Sequence, residues 1–157
     1  MSNKFELSEE KKRDGGVDFY RVKALRDVGG SVKAGDLGGW VEKEENLSQD
    51  GESWVANDAL VFGKSLVKDA AIVAGQSKVY GNAIIEGNAK VQDRAKVYGG
   101  SKISDQAKIS GESWVYGTAH VYEKAKVTSN SEVCGTAKVH GEVELNGDLI
   151  FGDKNVC

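Results

Sequence analysis

Residues 77–100 read SKVYGN-AIIEGN-AKVQDR-AKVYGG, which is four six-residue units with one shared arrangement of residue types. Each unit has a small residue first, an aliphatic residue third, and glycine or aspartate fifth. The first and third positions have the spacing of a β-strand, in which alternate side chains lie on one face. The fifth and sixth positions favour a tight corner, because glycine tolerates positive φ angles and asparagine nearly does. Each hexad therefore predicts one short strand followed by one corner.

The repeat extends far beyond these four units. An aliphatic residue occurs at every sixth position from Val55 to Leu145, and Phe151 stands at the next. The residue two positions earlier is alanine or serine in every unit up to Ala137. Strands this short must stack on the equivalent strand of the next coil to bury their apolar face. With three hexads in each coil, the sequence predicts an all-β fold, a single-stranded parallel β-helix of about five to six coils, roughly 27 Å long at ~4.8 Å per coil.

The N-terminal segment does not follow the hexad. Phe5 and Leu7, and then the alternating residues of 17–25, predict two strands joined by a charged turn over 8–16. The end of a β-helix exposes unpaired backbone and core, so a hairpin placed there would cover it. We therefore expect an N-terminal β-hairpin cap in residues 1–40.

The remaining residues, 41–157, are expected to form the hexapeptide-repeat β-helix, which makes one compact domain with the cap. The step from Leu47 to Val55 is longer than one hexad, which predicts a two-residue insertion in the first coil. At the other end Cys157 follows Phe151 by one hexad. No second cap is recognisable there, and we expect another copy of the protein to close that end.

The hexads resemble the left-handed β-helix superfamily, whose best-known members are acyltransferases with repeated aliphatic-Gly-x-x-small units. Here glycine stands two positions after the aliphatic residue instead of one. The segments ahead of the repeat, residues 20–25 (YRVKAL), 38–42 (GGWVE) and 46–51 (NLSQDG), resemble the YdcK-like group of bacterial and prophage β-helix proteins, often described as transferases. The resemblance implies a left-handed winding and a phage-encoded protein that contacts a host protein, for example to inhibit a host defence system. It also implies an alternative, an acyl-CoA-dependent acyltransferase.

Three hexads per coil place equivalent residues of successive coils above one another, and one outward column becomes aromatic. Rings ~4.8 Å apart can stack as a ladder. The ladder then either stabilises the coils alone or forms an interface, since exposed aromatic patches are typical of protein contacts. Self-association and a foreign protein partner both stay open. The candidate binding face consists of Leu60, Phe62, Tyr80, Tyr98, Trp114 and Tyr116.

A second outward column contains Lys90, Lys108 and Lys126. An anion such as phosphate could relieve their repulsion, and so could turn acids such as Asp93 and Asp105. The net charge of −3 argues against nucleic acid as a partner, and solvated lysines are the favoured interpretation.

His120 and His140 are the two histidines and the candidates for a catalytic base. The superfamily acyltransferases use a histidine base, coenzyme A between subunits and a loop extruded from a coil, yet no loop interrupts the hexads after Ser53. Stacking between Lys102 and Lys138 would favour neutral His120. The histidine backbones should lie ~8 Å apart, which suits a shared metal poorly. We predict no metal and no cofactor.

Composition narrows the class further. Two cysteines are too few for a disulfide framework. The N-terminus has no apolar core of a signal peptide, and no apolar run approaches the ~20 residues of a membrane span. We therefore expect a cytoplasmic, non-enzymatic binding or structural protein, a dimer or trimer. A purely architectural oligomer is a further alternative.

Overall fold

The computed structural model describes residues 3–157 and winds most of them into a three-sided β-helix. Each coil contributes one short strand to each of three sheets, and each strand pairs with the equivalent strand of the next coil, as Lys90 pairs with Lys108. The prediction of an all-β parallel β-helix with an N-terminal hairpin is confirmed. Its left-handed winding stays a prediction, because strand pairing and register are the same for either hand.

The strands fall into a hairpin and a long series of two- and three-residue strands. Strands β1 (Phe5–Asp14) and β2 (Val17–Ala24) form the hairpin, β3 (Leu37–Val41) begins the first coil, and a 3₁₀ turn covers Glu44–Asn46. The others are β4 (Trp54–Val55), β5 (Leu60–Val61), β6 (Leu66–Val67), β7 (Ile72–Val73), β8 (Lys78–Val79), β9 (Ile84–Ile85), β10 (Lys90–Val91), β11 (Lys96–Val97), β12 (Lys102–Ile103), β13 (Lys108–Ile109), β14 (Trp114–Val115), β15 (His120–Val121), β16 (Lys126–Thr128), β17 (Glu132–Val133), β18 (Lys138–Val139), β19 (Glu144–Asn146), β20 (Leu149–Ile150) and β21 (Asn155–Val156).

Three sheets form the sides of the β-helix. Face A is the nine-stranded sheet β1-β2-β3-β5-β8-β11-β14-β17-β20. Face B is β4-β7-β10-β13-β16-β19, and face C is β6-β9-β12-β15-β18-β21. The first coil carries the expected two-residue insertion, since Val41 pairs with Val61, and Leu47 with Val67, each two positions further along than in a regular coil. Every strand from β3 onward therefore has a neighbour in the coil above it, except at the end of each sheet.

The interior is a column of aliphatic and small side chains. The aliphatic residues of successive hexads, such as Val79 and Val97, have no exposed surface, and neither do the alanines of the small position. Serines at that position are buried as well. Ser77 and Ser101 each donate their hydroxyl to the carbonyl three positions earlier, at 2.7 and 2.8 Å. A buried hydroxyl without such a bond would destabilise the fold, so this corner carbonyl explains how serine replaces alanine here.

Several corners are held by side chains that reach the next coil. Asp93 has a φ of +60°, and its Oδ2 accepts a hydrogen bond of 2.9 Å from the backbone N–H of Gly111. Asp69 does the same for Gly87 at 3.0 Å. These bonds run parallel to the axis and link one coil to the next outside the β-ladder.

The hairpin differs from the sequence prediction in where it turns. Strand β1 continues through the charged residues to Asp14, and the turn consists of Gly15 and Gly16 with φ of +60° and +83°. Two consecutive positive φ angles close a two-residue hairpin turn. The charged stretch 8–16 was wrongly predicted as a turn, because this mostly exposed strand covers Trp40 with a lysine and carries no apolar alternation to reveal it.

The hairpin and the loop after it close the first coil. Phe5, Val22 and Val28 are buried in the same core cluster as Val41 and Val55. The core of the β-helix therefore continues into the N-terminal segment instead of ending at an exposed coil.

Lys4 adds a buried charge to this closure. Its side chain has no exposed surface, and Nζ donates to the Ser53 carbonyl oxygen at 2.8 Å and to the Ser53 hydroxyl at 3.0 Å. Burial, together with the nearby Arg26 guanidinium, lowers the pKa of Lys4 to about 8. The ammonium hydrogen-bonds an oxygen that the missing preceding coil leaves free.

The last coil is shorter than the others, which the sequence analysis did not foresee. Val133 pairs with Ile150, and Val139 with Val156, each one position earlier than in a regular coil. Ile150 therefore takes the core position that was predicted for Phe151, and the prediction for Phe151 was wrong. In the regular register Leu149 would have to occupy a small position that holds alanine or serine in most earlier coils. Shifting the register by one position turns both bulky side chains outward.

Candidate interaction face

The aromatic column on face A forms a continuous ladder. The ring centroids of Phe62 and Tyr80 lie 4.9 Å apart, those of Tyr80 and Tyr98 4.9 Å, and those of Tyr98 and Tyr116 5.0 Å. Neighbouring planes differ by 11° or less, so the rings are stacked. All four rings are half-buried, since each is covered by its neighbours in the stack but open on the side facing the solvent. The sequence located this ladder because the coil period alone fixes it.

The hairpin covers the first part of face A. Phe19 of β2 meets the Phe62 ring edge to face at 5.2 Å, and together with Trp40 and Leu60 it forms a second buried cluster. Leu60 is only 5% exposed although it points away from the main core. The side chain of Lys12 lies over the Trp40 ring at 4.5 Å. Leu60 was named as part of the candidate binding face, but the structure places it under the hairpin.

The short last coil brings two large apolar side chains onto the same face. Leu149 follows Glu132 in the outer column, and Phe151 follows Cys134 in the aromatic column. Leu149 is 56% exposed and Phe151 52% exposed, and Trp114 in the same outer column is 41% exposed. Sequence analysis missed Leu149 and Phe151 because the uninterrupted hexad put Phe151 in the core. The bulk of Leu149 at a small position was the signal that could have revealed the shift.

We call the uncovered part of this sheet the open face. Its outer column reads Lys78, Lys96, Trp114, Glu132 and Leu149. Its aromatic column reads Tyr80, Tyr98, Tyr116, Cys134 and Phe151.

Charged groups of the open face are held against its aromatic rings. The Lys96 ammonium lies over the Trp114 ring at 5.2 Å, and the Tyr116 hydroxyl donates a hydrogen bond to Glu132. That bond raises the pKa of Tyr116, since ionisation would remove the donated proton. Burial raises the pKa of Tyr80 and of Tyr98. The tyrosines of the ladder therefore stay neutral hydrogen-bond donors at physiological pH.

The lysine column on face B is formed as predicted. Lys90, Lys108 and Lys126 lie directly above one another, with Glu144 next in line. The turn acid Asp93 is hydrogen-bonded to a backbone amide instead of to these lysines. Within residues 3–157, these lysines form no ion pair with a carboxylate. The column is a strip of positive charge without a bound counter-charge from the described chain.

The two histidines lie on face C, separated by Tyr122. The Tyr122 ring is 4.4 Å from His120 and 4.8 Å from His140, so the imidazoles do not meet. His120 Nε2 is 2.9 Å from the Ser104 hydroxyl, and its strand neighbours are Lys102 and Lys138. Burial, and then the charge of Lys102, lowers the pKa of His120. A lowered pKa agrees with the neutral imidazole that was expected for His120.

His140 is held differently. Its Nε2 is 2.5 Å from Asn155 Oδ1, and its Nδ1 is 3.4 Å from a Glu123 carboxylate oxygen. Across residues 3–157, no three histidine, cysteine or acidic side chains come together as metal ligands. A shallow cavity of about 600 Å³ lies elsewhere, on the hairpin beside Glu6, Glu10 and Leu37. The histidines and this cavity are therefore separate features.

The chain matches no protein-family model and no curated protein. In the described part of the chain, no helix has the length and apolar character that crossing a membrane requires.

Proposed function

We propose that this chain is a cytoplasmic, non-enzymatic binding protein that contacts another protein through the open face. The observation that carries the proposal is the concentration of exposed apolar side chains there. Trp114, Leu149 and Phe151 are all on one sheet, next to half-buried tyrosines. A monomer gains nothing from leaving these side chains in water, whereas contiguous apolar patches with a polar rim are typical of interaction sites.

The composition of the open face also supports this proposal. Tryptophan and tyrosine are enriched in interfaces, because they combine a large contact area with a hydrogen-bonding group. The tyrosine hydroxyls supply donors, and Lys96 and Glu132 supply charges of opposite sign. A bacterial host protein is the partner that the resemblance to prophage proteins suggests. A purely architectural oligomer would use the same face without a foreign partner.

The acyltransferase alternative has one observation in its favour. His120 has a lowered pKa and an imidazole nitrogen 2.9 Å from the Ser104 hydroxyl, and the neutral imidazole is the protonation state that a general base needs. However, the coils on either side of His120 keep the regular spacing, without an extruded loop that could cover a substrate. We therefore favour binding over catalysis.

Affinity capture from a bacterial lysate tests the proposal. The bait is the wild-type chain, compared with Trp114→Ser/Phe151→Ser on the open face and with Tyr122→Ser/Lys138→Ser on face C as a matched control. We expect the same bound protein with wild type and control, and its loss from the open-face variant. Proteins retained equally by all three baits would contradict the proposal.

A further inference from the structure

The open face has five rows, with equal numbers of rows on either side of the row that contains Trp114. Its outer column has two residues below Trp114, Lys96 and Lys78, and two above it, Glu132 and Leu149. Below Lys78 the hairpin buries the face, and above Leu149 the chain has no further strand on this sheet within the described residues. The centre of the uncovered sheet is therefore the row of Trp114 and Tyr116.

We infer that the open face binds a second copy of this chain, antiparallel, with the two-fold axis passing through the Trp114 row. This inference rests on the proposed function: it takes the open face as an interaction site and assigns to it a second copy of the chain, which a foreign partner would have to displace. In this arrangement each residue of the outer column faces the outer column of the other copy. Trp114 meets the Trp114 of the other copy. Each Lys96 meets the Glu132 of the other copy, so the dimer contains two such pairs, one on each side of the axis.

Charge complementarity selects this orientation. Lys96 and Glu132 lie one coil below and one coil above Trp114. In an antiparallel pair each Lys96 therefore faces the Glu132 carboxylate of the other copy. A pair with parallel axes would place Lys96 beside Tyr98, and Glu132 beside Cys134, so that no charge would be matched. The Tyr116 hydroxyl binds one oxygen of Glu132 and leaves the other to accept from an incoming ammonium.

The hairpin excludes the parallel orientation as well. It raises the surface over Trp40 and Leu60 at the N-terminal end of face A. Two parallel copies would bring their hairpins together at the same level and hold the open faces apart. In the antiparallel pair each hairpin lies beyond the last coil of the other copy, because Lys78 faces the final row.

The size of the face sets the expected strength. Five rows at ~4.8 Å and a strand side of ~17 Å bury on the order of 400–500 Å² from each copy. The total lies at the low end for specific complexes, which is the range of transient contacts. We therefore expect a dimer that dissociates on dilution, with a dissociation constant of roughly micromolar order.

Charge reversal tests the contact between Lys96 and Glu132. We expect wild type to shift from monomer to dimer between about 1 and 500 μM in sedimentation equilibrium. Lys96→Glu and Glu132→Lys should each weaken the dimer at least ~10-fold, and the double variant should restore it. Lys138→Glu on face C changes the charge equally and should have no effect. A restored dimer supports the inference, whereas a double variant as weak as the single ones overturns it.

A cross-link tests the position of the axis. In a background of Cys134→Ser and Cys157→Ser, Trp114→Cys should be cross-linked to its own counterpart by a short bismaleimide, because sheets that pack ~10 Å apart hold the two Cα atoms too far apart for a direct disulfide. Lys78→Cys should not, because it faces the row of Leu149. Equal cross-linking at both positions would mean that both residues are level with their counterparts, as in a parallel pair, and would overturn the inference. A wild-type chain that stays monomeric throughout would also overturn it, while face-dependent capture of another protein would leave the proposed function standing.

Discussion

Acidic residues at several corners accept a hydrogen bond from the next coil and so link neighbouring coils. Asp93 combines a left-handed backbone conformation with a hydrogen bond to Gly111, and Asn57 makes the equivalent bond to Gly75 on the neighbouring coil. The amide oxygen of asparagine thus serves in the same geometry as the carboxylate. The longer Glu123 makes the same bond to the backbone N–H of Gly141, also with a positive φ. The side chain at such a corner must accept a hydrogen bond, but its charge is dispensable.

Replacing Asp93 separates these requirements. Asp93→Ala should lower the free energy of unfolding by ~1–2 kcal/mol, since it loses the bond to Gly111 and keeps the positive φ. Asp93→Asn should stay within ~0.5 kcal/mol of wild type. Urea denaturation of the two variants measures the difference. An Asp93→Asn chain as unstable as Asp93→Ala would show that the charge itself matters.

Lys4 should make stability depend on pH in the alkaline range. Its pKa is about 8 in the folded chain against 10.5 for an ordinary lysine. Below about pH 8 both states are protonated, and the buried charge destabilises the fold. Between these two values the folded chain binds fewer protons than the unfolded chain, so stability rises with pH.

Lys4→Met supplies the comparison. The free energy of unfolding of wild type should increase relative to Lys4→Met by up to ~1.4 kcal/mol per pH unit between about pH 8 and 10. Denaturant titrations at several pH values measure this slope. A constant difference across the range would mean that Lys4 has an ordinary pKa.

Among the elements, the last coil offers a test of the register. Either the register shifts by one residue, as observed, or the hexad continues without interruption. Ile150 packs against the core, while Leu149 and Phe151 point into solvent. Ile150→Ser should therefore cost ~1–2 kcal/mol of stability, and Phe151→Ser less than ~0.5 kcal/mol. Thermal denaturation shows which variant is less stable, measured at protein concentrations too low for the dimer to form. The reverse order would restore Phe151 to the core.

The sequence could predict the stacked columns but not what covers them. Lys90, Lys108 and Lys126, like the tyrosines of face A, are placed by a constant coil length that needs no knowledge of packing. The burial of Leu60 depends on Phe19, which lies far earlier in the chain and outside the repeat. The shift before Ile150 depends on a turn whose amides, those of Gly147 and Asp148, donate to the Ser131 hydroxyl at 2.8 and 3.1 Å. Contacts between unlike segments do not repeat along the sequence, so no periodicity can predict them.

For the whole molecule, ligand binding separates the proposed function from the acyltransferase alternative. A ligand at ~100 times its dissociation constant stabilises a protein by ~2.7 kcal/mol. We expect acetyl-CoA at millimolar concentration to leave the melting temperature unchanged. A shift that is present in wild type and lost in His120→Ala would instead support a catalytic site on face C.

The hairpin that closes the first coil also gives the molecule an order of assembly. Most contacts join neighbouring coils, which gives a relative contact order of roughly 0.11, as low as in helical bundles and unusual for an all-β protein. A new coil has nothing to pair with until the coil before it exists, whereas the two strands of the N-terminal hairpin pair with each other through a local turn. The hairpin also leaves the ribosome before the coils, because it precedes them in the chain. We therefore expect the chain to wind during its own synthesis, from the hairpin outward, so that truncated nascent chains acquire protease resistance one coil at a time.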